Sequence, residues 1–154
     1  MIAIDALSHV GIVVPDLETA STLFAQRFGC RVSAPIDVPE QGLRMVYVNL
    51  GAAAIELMAP TRADSPIAKF LERNPAGGLH HIAFTVDNAY SAAAEAAREG
   101  LRILGAGEPR PGHHGRPIFF LNPRDVLGTL VEVEEHVPTK NSDAARNLSG
   151  VDLK

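Results

Sequence analysis

Two histidines and two glutamates recur at matching places in the two halves of this 154-residue chain. Leu7-Ser8-His9-Val10-Gly11-Ile12-Val13-Val14-Pro15-Asp16 in the first half reads like Leu79-His80-His81-Ile82-Ala83-Phe84-Thr85-Val86-Asp87-Asn88 in the second. Each half then closes on an apolar strand with a glutamate at its centre, Ala54-Ile55-Glu56-Leu57 and Leu130-Val131-Glu132-Val133. A carboxylate in the middle of an apolar strand is costly unless it is paired or bound to metal. Two imidazoles and two carboxylates form a donor set that suits a divalent ion such as Co, Ni, Mn, Fe or Zn. Four protein ligands on an octahedral ion leave two adjacent positions open. Two oxygens of one substrate can chelate there, making the ion a Lewis acid for a developing enolate. A ligand carboxylate that swings off the ion can then act as a base.

Taken singly, each residue has a plainer explanation. A lone strand histidine is more often a hydrogen-bonded core residue, and a lone strand glutamate usually faces solvent. Four of them placed symmetrically in a duplicated chain favour metal. Gly11, Ala83 and Ala54 share faces with the candidate ligands by strand alternation and leave room for an ion and a substrate. His80 competes with His81; neighbours on a strand point to opposite faces, and the alignment with His9 selects His81. His113 and His114 sit in a Gly-rich loop, where most histidines are solvated; rimming the cleft is the alternative open to them. Cys30 follows Gly29 at a strand start and reads as a small buried hydrophobe.

The elements that must position these groups follow from pattern. Residues 7–14 are rich in Val and Ile, as a strand buried on both faces should be. Asp16 can cap a helix from Leu17 to about Phe28, ended by Gly29. A strand near Arg31–Ala34, a loop through Pro39-Glu40-Gln41-Gly42 and a hairpin of Leu43–Leu50 with Ala53–Met58 complete the first module. The linker holds one helix, with Ser65 as cap and Pro66 at its first position. The second module has a strand at 79–86, a helix at about 89–99, and strands at 101–104, 117–121 and 128–134. The chain therefore reads as α+β: two tandem βαβββ modules, about 6–60 and 79–135, joined by a helical linker over 61–78. Together they are expected to form one domain over 1–136, a curved mixed sheet with helices outside and a metal-binding cleft inside. Residues 137–154 are polar and aperiodic and are expected to be a disordered tail.

Composition removes several function classes. The net charge of −4 supports neither nucleic acid nor an anionic membrane as partner. No cationic apolar leader opens the sequence and no apolar run approaches a membrane span. One cysteine allows no intrachain disulfide, so a reducing cytoplasm is the expected compartment. Exposed sheet edges are compatible with a homodimer.

From about residue 6 to 135 the chain resembles the vicinal oxygen chelate (glyoxalase/bleomycin resistance) superfamily and, within it, the methylmalonyl-CoA epimerase group. The resemblance rests on His9-Val10-Gly11-Ile12, Pro39-Glu40-Gln41-Gly42, Ile55-Glu56-Leu57-Met58-Ala59-Pro60, Asp64-Ser65-Pro66-Ile67-Ala68-Lys69-Phe70-Leu71, Gly77-Gly78-Leu79-His80-His81-Ile82 and Leu130-Val131-Glu132. It implies a divalent metal held by His9, Glu56, His81 and Glu132. It also implies an isomerase that inverts carbon 2 of methylmalonyl-CoA or a related 2-alkylmalonyl thioester through an enolate, with Glu132 as one acid/base group. Some epimerases carry the second base three positions after the glycine of the Pro-Glu-Gln-Gly loop, where this chain has Met45, and tend to have glutamine in place of Glu56. Glu56 is therefore the candidate for the second base. Three loops depart from the group's usual pattern: Asn122-Pro123-Arg124 for His-Pro-Lys, Gly112-His113-His114-Gly115 for Gly-Ala-His-Gly, and Val126-Leu127-Gly128 for a Gly-Gly turn. All three would meet the acyl group or the pantetheine arm.

Two other functions compete. A glyoxalase-type lyase acting on a glutathione hemithioacetal would use the same ligands and move the proton to the neighbouring carbon. A non-catalytic module that binds a small molecule would be expected to have lost ligands, and all four are present. A ring-cleaving dioxygenase fits worst, because its iron needs two His, one carboxylate and open positions.

Overall fold

The computed structural model of the chain describes residues 1–136, and the expected tail over 137–154 lies outside them. β1 (Ala6–Val13) leads into α1 (Leu17–Thr22), where the Asp16 carboxylate accepts from the Thr19 N–H at 2.6 Å. The helix expected to run to Phe28 loosens instead into a π-helical turn over Leu23–Arg27, and Gly29 then turns the chain at φ 66°. β2 (Arg31–Val32), β3 (Ile36–Val38), β4 (Leu43–Asn49) and β5 (Ala54–Pro60) complete the first half. α2 (Pro66–Arg73) links it to β6 (Gly78–Val86), α3 (Ala89–Arg98), β7 (Arg110–Pro111), β8 (Pro117–Leu121) and β9 (Leu130–Glu135). α3 begins as α1 does, with Asn88 Oδ1 accepting from the Ser91 N–H at 2.8 Å.

All nine strands join one mixed sheet in the order β2-β4-β5-β1-β6-β9-β8-β7, with β3 paired to β4. β1 runs parallel to β5 and β6 parallel to β9, while β1 and β6 are antiparallel to each other. The β1/β6 seam is therefore the axis about which one half repeats the other. On one face, α3 buries Ala89, Ala92, Ala93 and Ala96, a helical stripe of small side chains that lets it lie close against β8 and β9. α1 covers the equivalent place on the first half, against Val46, Val48 and Leu57.

Several expectations need correction. The strand expected at 101–104 is reduced to one bridge, Ile103 to Leu121, because Gly100 and Gly105 turn the backbone at φ 77° and 79° on either side. β3 and β7 form in stretches read as loop, each recruited by pairing to a longer neighbour. The Ser65 hydroxyl does not cap α2; it donates to the Gln41 carbonyl at 3.0 Å and ties the linker to the Pro39–Gly42 loop. α2 itself is not an outer helix. Its Ile67 packs with Val13, Val38, Leu43, Met45 and Met58 on the opposite face of the sheet, so the linker forms a wall of the cleft. Among the described residues no helix is long and apolar enough to cross a membrane.

Leu127 occupies the left-handed region at φ 62° with its side chain fully exposed. That conformation costs a non-glycine residue about 1–2 kcal/mol, and here no burial offsets it. Leu127→Gly is expected to stabilise the protein by about 1 kcal/mol, less the backbone entropy glycine loses, read as a rise in the midpoint of thermal denaturation.

Candidate metal centre

The register of the seam brings the four expected residues to one point. Gly11 lies opposite His81 and His9 opposite Ala83 across β1/β6, so each imidazole faces a small residue of the other half. Glu56 pairs beside Gly11 on β5, and Glu132 beside Ala83 on β9, the same relation in each half. His9 Nε2 and His81 Nε2 stand 3.1 Å apart. Glu56 Oε2 is 3.9 Å from His9 Nε2 and 3.6 Å from His81 Nε2. Glu132 Oε2 lies 3.8 Å and 3.3 Å from the same two atoms. His9, Glu56 and His81 make the compact set, with donor atoms all within 4.8 Å of one another, and Glu132 approaches the same two imidazoles from β9.

Burial decides the charge state of these groups. All four side chains are buried. Desolvation raises Glu56 to about 7, aided by the charge of Glu134 and opposed by the Tyr47 hydroxyl, which donates to Oε1 at 2.9 Å. Glu132 is raised to about 8, by burial first and then by the Glu56 and Glu134 carboxylates. His81 falls to about 3 through burial and the neighbouring His9 and His80, and burial lowers His9 as well. Neutral imidazoles with converging Nε2 atoms, beside carboxyls too crowded to ionise together, are a donor set that a divalent cation fits: it accepts the lone pairs and neutralises the acids.

Other groups in the site escaped the pattern analysis. Tyr47 lies opposite Glu56 in the β4/β5 hairpin, a register that the turn near Gly51 makes deducible. His113 Nε2 and His114 Nε2 lie 3.0 Å and 3.3 Å from the Tyr47 hydroxyl, and His113 lines the cleft. Burial and His114 hold His113 down at about 4. Glu134 is a third buried carboxylate, two residues beyond Glu132 and hence on the same face, a signal that alternation already carried. Ser8 gave no such signal. The expectation that His80 points away from His81 is wrong: its Nδ1 is 3.0 Å from His81 Nδ1 and its ring lines the cleft. The cause is a bulge, since Gly11 pairs with His81 and Ile12 with Leu79, leaving His80 extra.

The cleft above these groups holds about 370 Å³ and is walled by Val38, Leu43, Met58, Ile67, Ile118 and Phe120, with Arg110 and His113 at its polar side. Met45 is buried in the same wall, so the position that carries a glutamate in some epimerases adds no charge here.

Two outcomes follow. A β-carbon on Gly11 would sit 2.2 Å from His81 Cε1, so Gly11→Ala must displace that ring and is expected to weaken divalent-ion binding at least about tenfold, measured by equilibrium dialysis. The second concerns pH. The carboxyls with raised pKa stabilise the metal-free fold while protonated, and that stability is lost as pH rises through about 7 and 8. The histidines oppose this only below their ordinary value of 6.5. In chelator the melting temperature should therefore fall from pH 6.5 to about 8, while the increase produced by saturating Co²⁺ grows over the same window, as differential scanning fluorimetry would record.

The sequence profile of the Glyoxalase/Bleomycin resistance protein/Dioxygenase superfamily matches residues 8–120. The chain is 46% identical over 132 residues to the ethylmalonyl-CoA/methylmalonyl-CoA epimerase of Cereibacter sphaeroides, covering 86% of this chain and 98% of that one. It is 45% identical over 129 residues to the mitochondrial methylmalonyl-CoA epimerase of Homo sapiens, covering 84% and 73%. Its fold superposes with TM-score 0.80 on a variant of the Streptomyces coelicolor methylmalonyl-CoA epimerase in complex with 2-nitronate-propionyl-CoA, at 33% identity over 88% of this chain and 99% of that one. On this evidence the chain belongs to the Glyoxalase/Bleomycin resistance protein/Dioxygenase superfamily, and proteins named methylmalonyl-CoA epimerase are among its near relatives.

Proposed function

We propose that the protein is a metal-dependent isomerase that inverts carbon 2 of methylmalonyl-CoA or a closely related 2-alkylmalonyl thioester. The observation that carries this reading is the pair of buried carboxyls, Glu56 and Glu132, brought to one imidazole pair from strands on opposite sides of the seam. The relatives named for this reaction support it, one of them for both ethylmalonyl- and methylmalonyl-CoA.

In this proposal His9, Glu56, His81 and Glu132 hold a divalent ion, with Co, Ni, Mn, Fe and Zn as the candidates. When bound, it supplies positive charge to the carboxylate and thioester oxygens of the substrate and so acidifies the C2–H bond. Glu132 takes the C2 proton on one of its oxygens. Burial has raised its proton affinity to about 8, close to the value at which it can both accept and return a proton at neutral pH. Glu56, raised to about 7, delivers a proton to the opposite face and inverts the centre. The Tyr47 hydroxyl donates to Oε1 of Glu56 and fixes the orientation of that carboxyl. His9 and His81 stay neutral and do not compete for the proton. Met45, Met58 and Ile118 give the cleft an apolar wall that suits a 2-alkyl branch. A homodimer and a cytoplasmic location complete the proposal, resting on the exposed sheet edges and the single cysteine.

The test is solvent exchange. The metal-loaded protein incubated with one epimer of methylmalonyl-CoA in D₂O should incorporate deuterium at C2 and produce the other epimer. Glu132→Gln or Glu56→Gln should slow epimerisation by about 10²–10⁴-fold. The variant that keeps the base facing the supplied epimer should still exchange its proton without inverting it. No uptake above a metal-free control would remove this substrate. Turnover of methylglyoxal with glutathione in its place would reassign the protein as a lyase.

A further inference from the structure

β1 and β6 each carry a bulge directly before their histidine. Leu7 pairs with Phe84 and His9 with Ala83, leaving Ser8 extra, just as His80 is extra on β6. Each bulge turns the preceding residue onto the ring beside it. Ser8 Oγ lies 3.1 Å from His9 Nδ1, and His80 Nδ1 lies 3.0 Å from His81 Nδ1. In both halves Nδ1 is thus engaged, and Nε2 faces the shared point.

On the His9 side the proton count is decisive. The Ser8 hydroxyl has one proton, and it donates that proton to Oε1 of the buried Glu134. Ser8 Oγ must then accept from His9, so Nδ1 carries the ring proton and Nε2 carries the lone pair. Glu134 is in turn flanked by Arg116, whose Nη2 lies 4.0 Å from Oε2. It stays 4.0 Å from His9 Nδ1 and acts on that ring through the hydroxyl.

We propose that Ser8 and Glu134 are positioning residues for the metal: the hydroxyl and the carboxylate lock His9 in the Nδ1–H tautomer and aim its Nε2 at the ion. This rests on the metal-binding reading above. It also assigns Glu134, among the described residues the one buried carboxylate of the cleft face without a part in the proposed chemistry, to orientation rather than proton transfer.

Co²⁺ affinity of the full chain, by isothermal titration with the cobalt absorption spectrum as a second readout, tests it. Ser8→Ala and Glu134→Gln are each expected to raise the Kd about 10–100-fold. Ser8→Thr, which keeps the hydroxyl, should stay within a few fold of wild type. Because both residues act through one ring, the double variant should bind no more than a few fold worse than the weaker single. Equal Kd for Ser8→Ala and wild type overturns the inference. So does an additive double variant, which would mean that Glu134 acts by charge alone. If Ser8→Ala does not fold, the ¹⁵N shifts of His9 in the metal-free wild type decide: an Nδ1–H ring supports the proposal and an Nε2–H ring overturns it. A wild-type chain that binds no Co²⁺ removes the metal reading as well, an outcome distinct from wild-type binding that Ser8→Ala leaves untouched.

Discussion

Placing four ionisable side chains around one point inside a sheet is the constraint on which everything else turns. Each of His9, Glu56, His81 and Glu132 is buried, and removal from water works against the charged form of all of them. The two acids are driven up and the two imidazoles down, so the groups meet as neutral donors with proton affinities displaced toward each other. A cation relieves that arrangement, and the same displacement gives carboxyls able to exchange a proton near neutrality. Binding and acid–base chemistry thus draw on one desolvation cost.

Duplication makes the convergence inexpensive in design. An antiparallel seam between two equivalent strands places their histidines side by side, and a parallel strand on the outer side of each places its glutamate next to the seam. Small residues have to stand at the crossing, Gly11 most strictly, because the His81 ring lies where its β-carbon would be. Repeating one module supplies the second imidazole and the second carboxyl of the cluster from the same local structure.

Function enters where the halves differ. Only the first half has a tyrosine opposite its glutamate, and only the second has the histidine loop that reaches across to that tyrosine. Among the described residues α2 has no counterpart, and by packing its apolar stripe over β1 and β5 it closes one side of the cleft. These asymmetries make two equivalent carboxyls inequivalent: both feel the charge of Glu134, but Glu56 is held by a hydroxyl donor while Glu132 is raised further by the charge of Glu56.

The repeat, the α+β order of elements and the four residues His9, Glu56, His81 and Glu132 were legible in the sequence, because strand alternation and a buried carboxylate leave local marks. Tyr47 and Glu134 were legible too, through hairpin register and period-two spacing, had each been followed one step further. The short strands β3 and β7, the loss of the expected strand at 101–104 and the inward seat of α2 were not, since each is set by what the segment packs or pairs against. Least legible were Ser8 and His80. Alternation sends both away from the site, and only a bulge against the partner strand turns them back. A bulge is a property of two strands in register rather than of either strand's residues, so the four converging side chains could be read from the chain, but the placement of Ser8 and His80 beside the two imidazoles was decided by the tertiary fold.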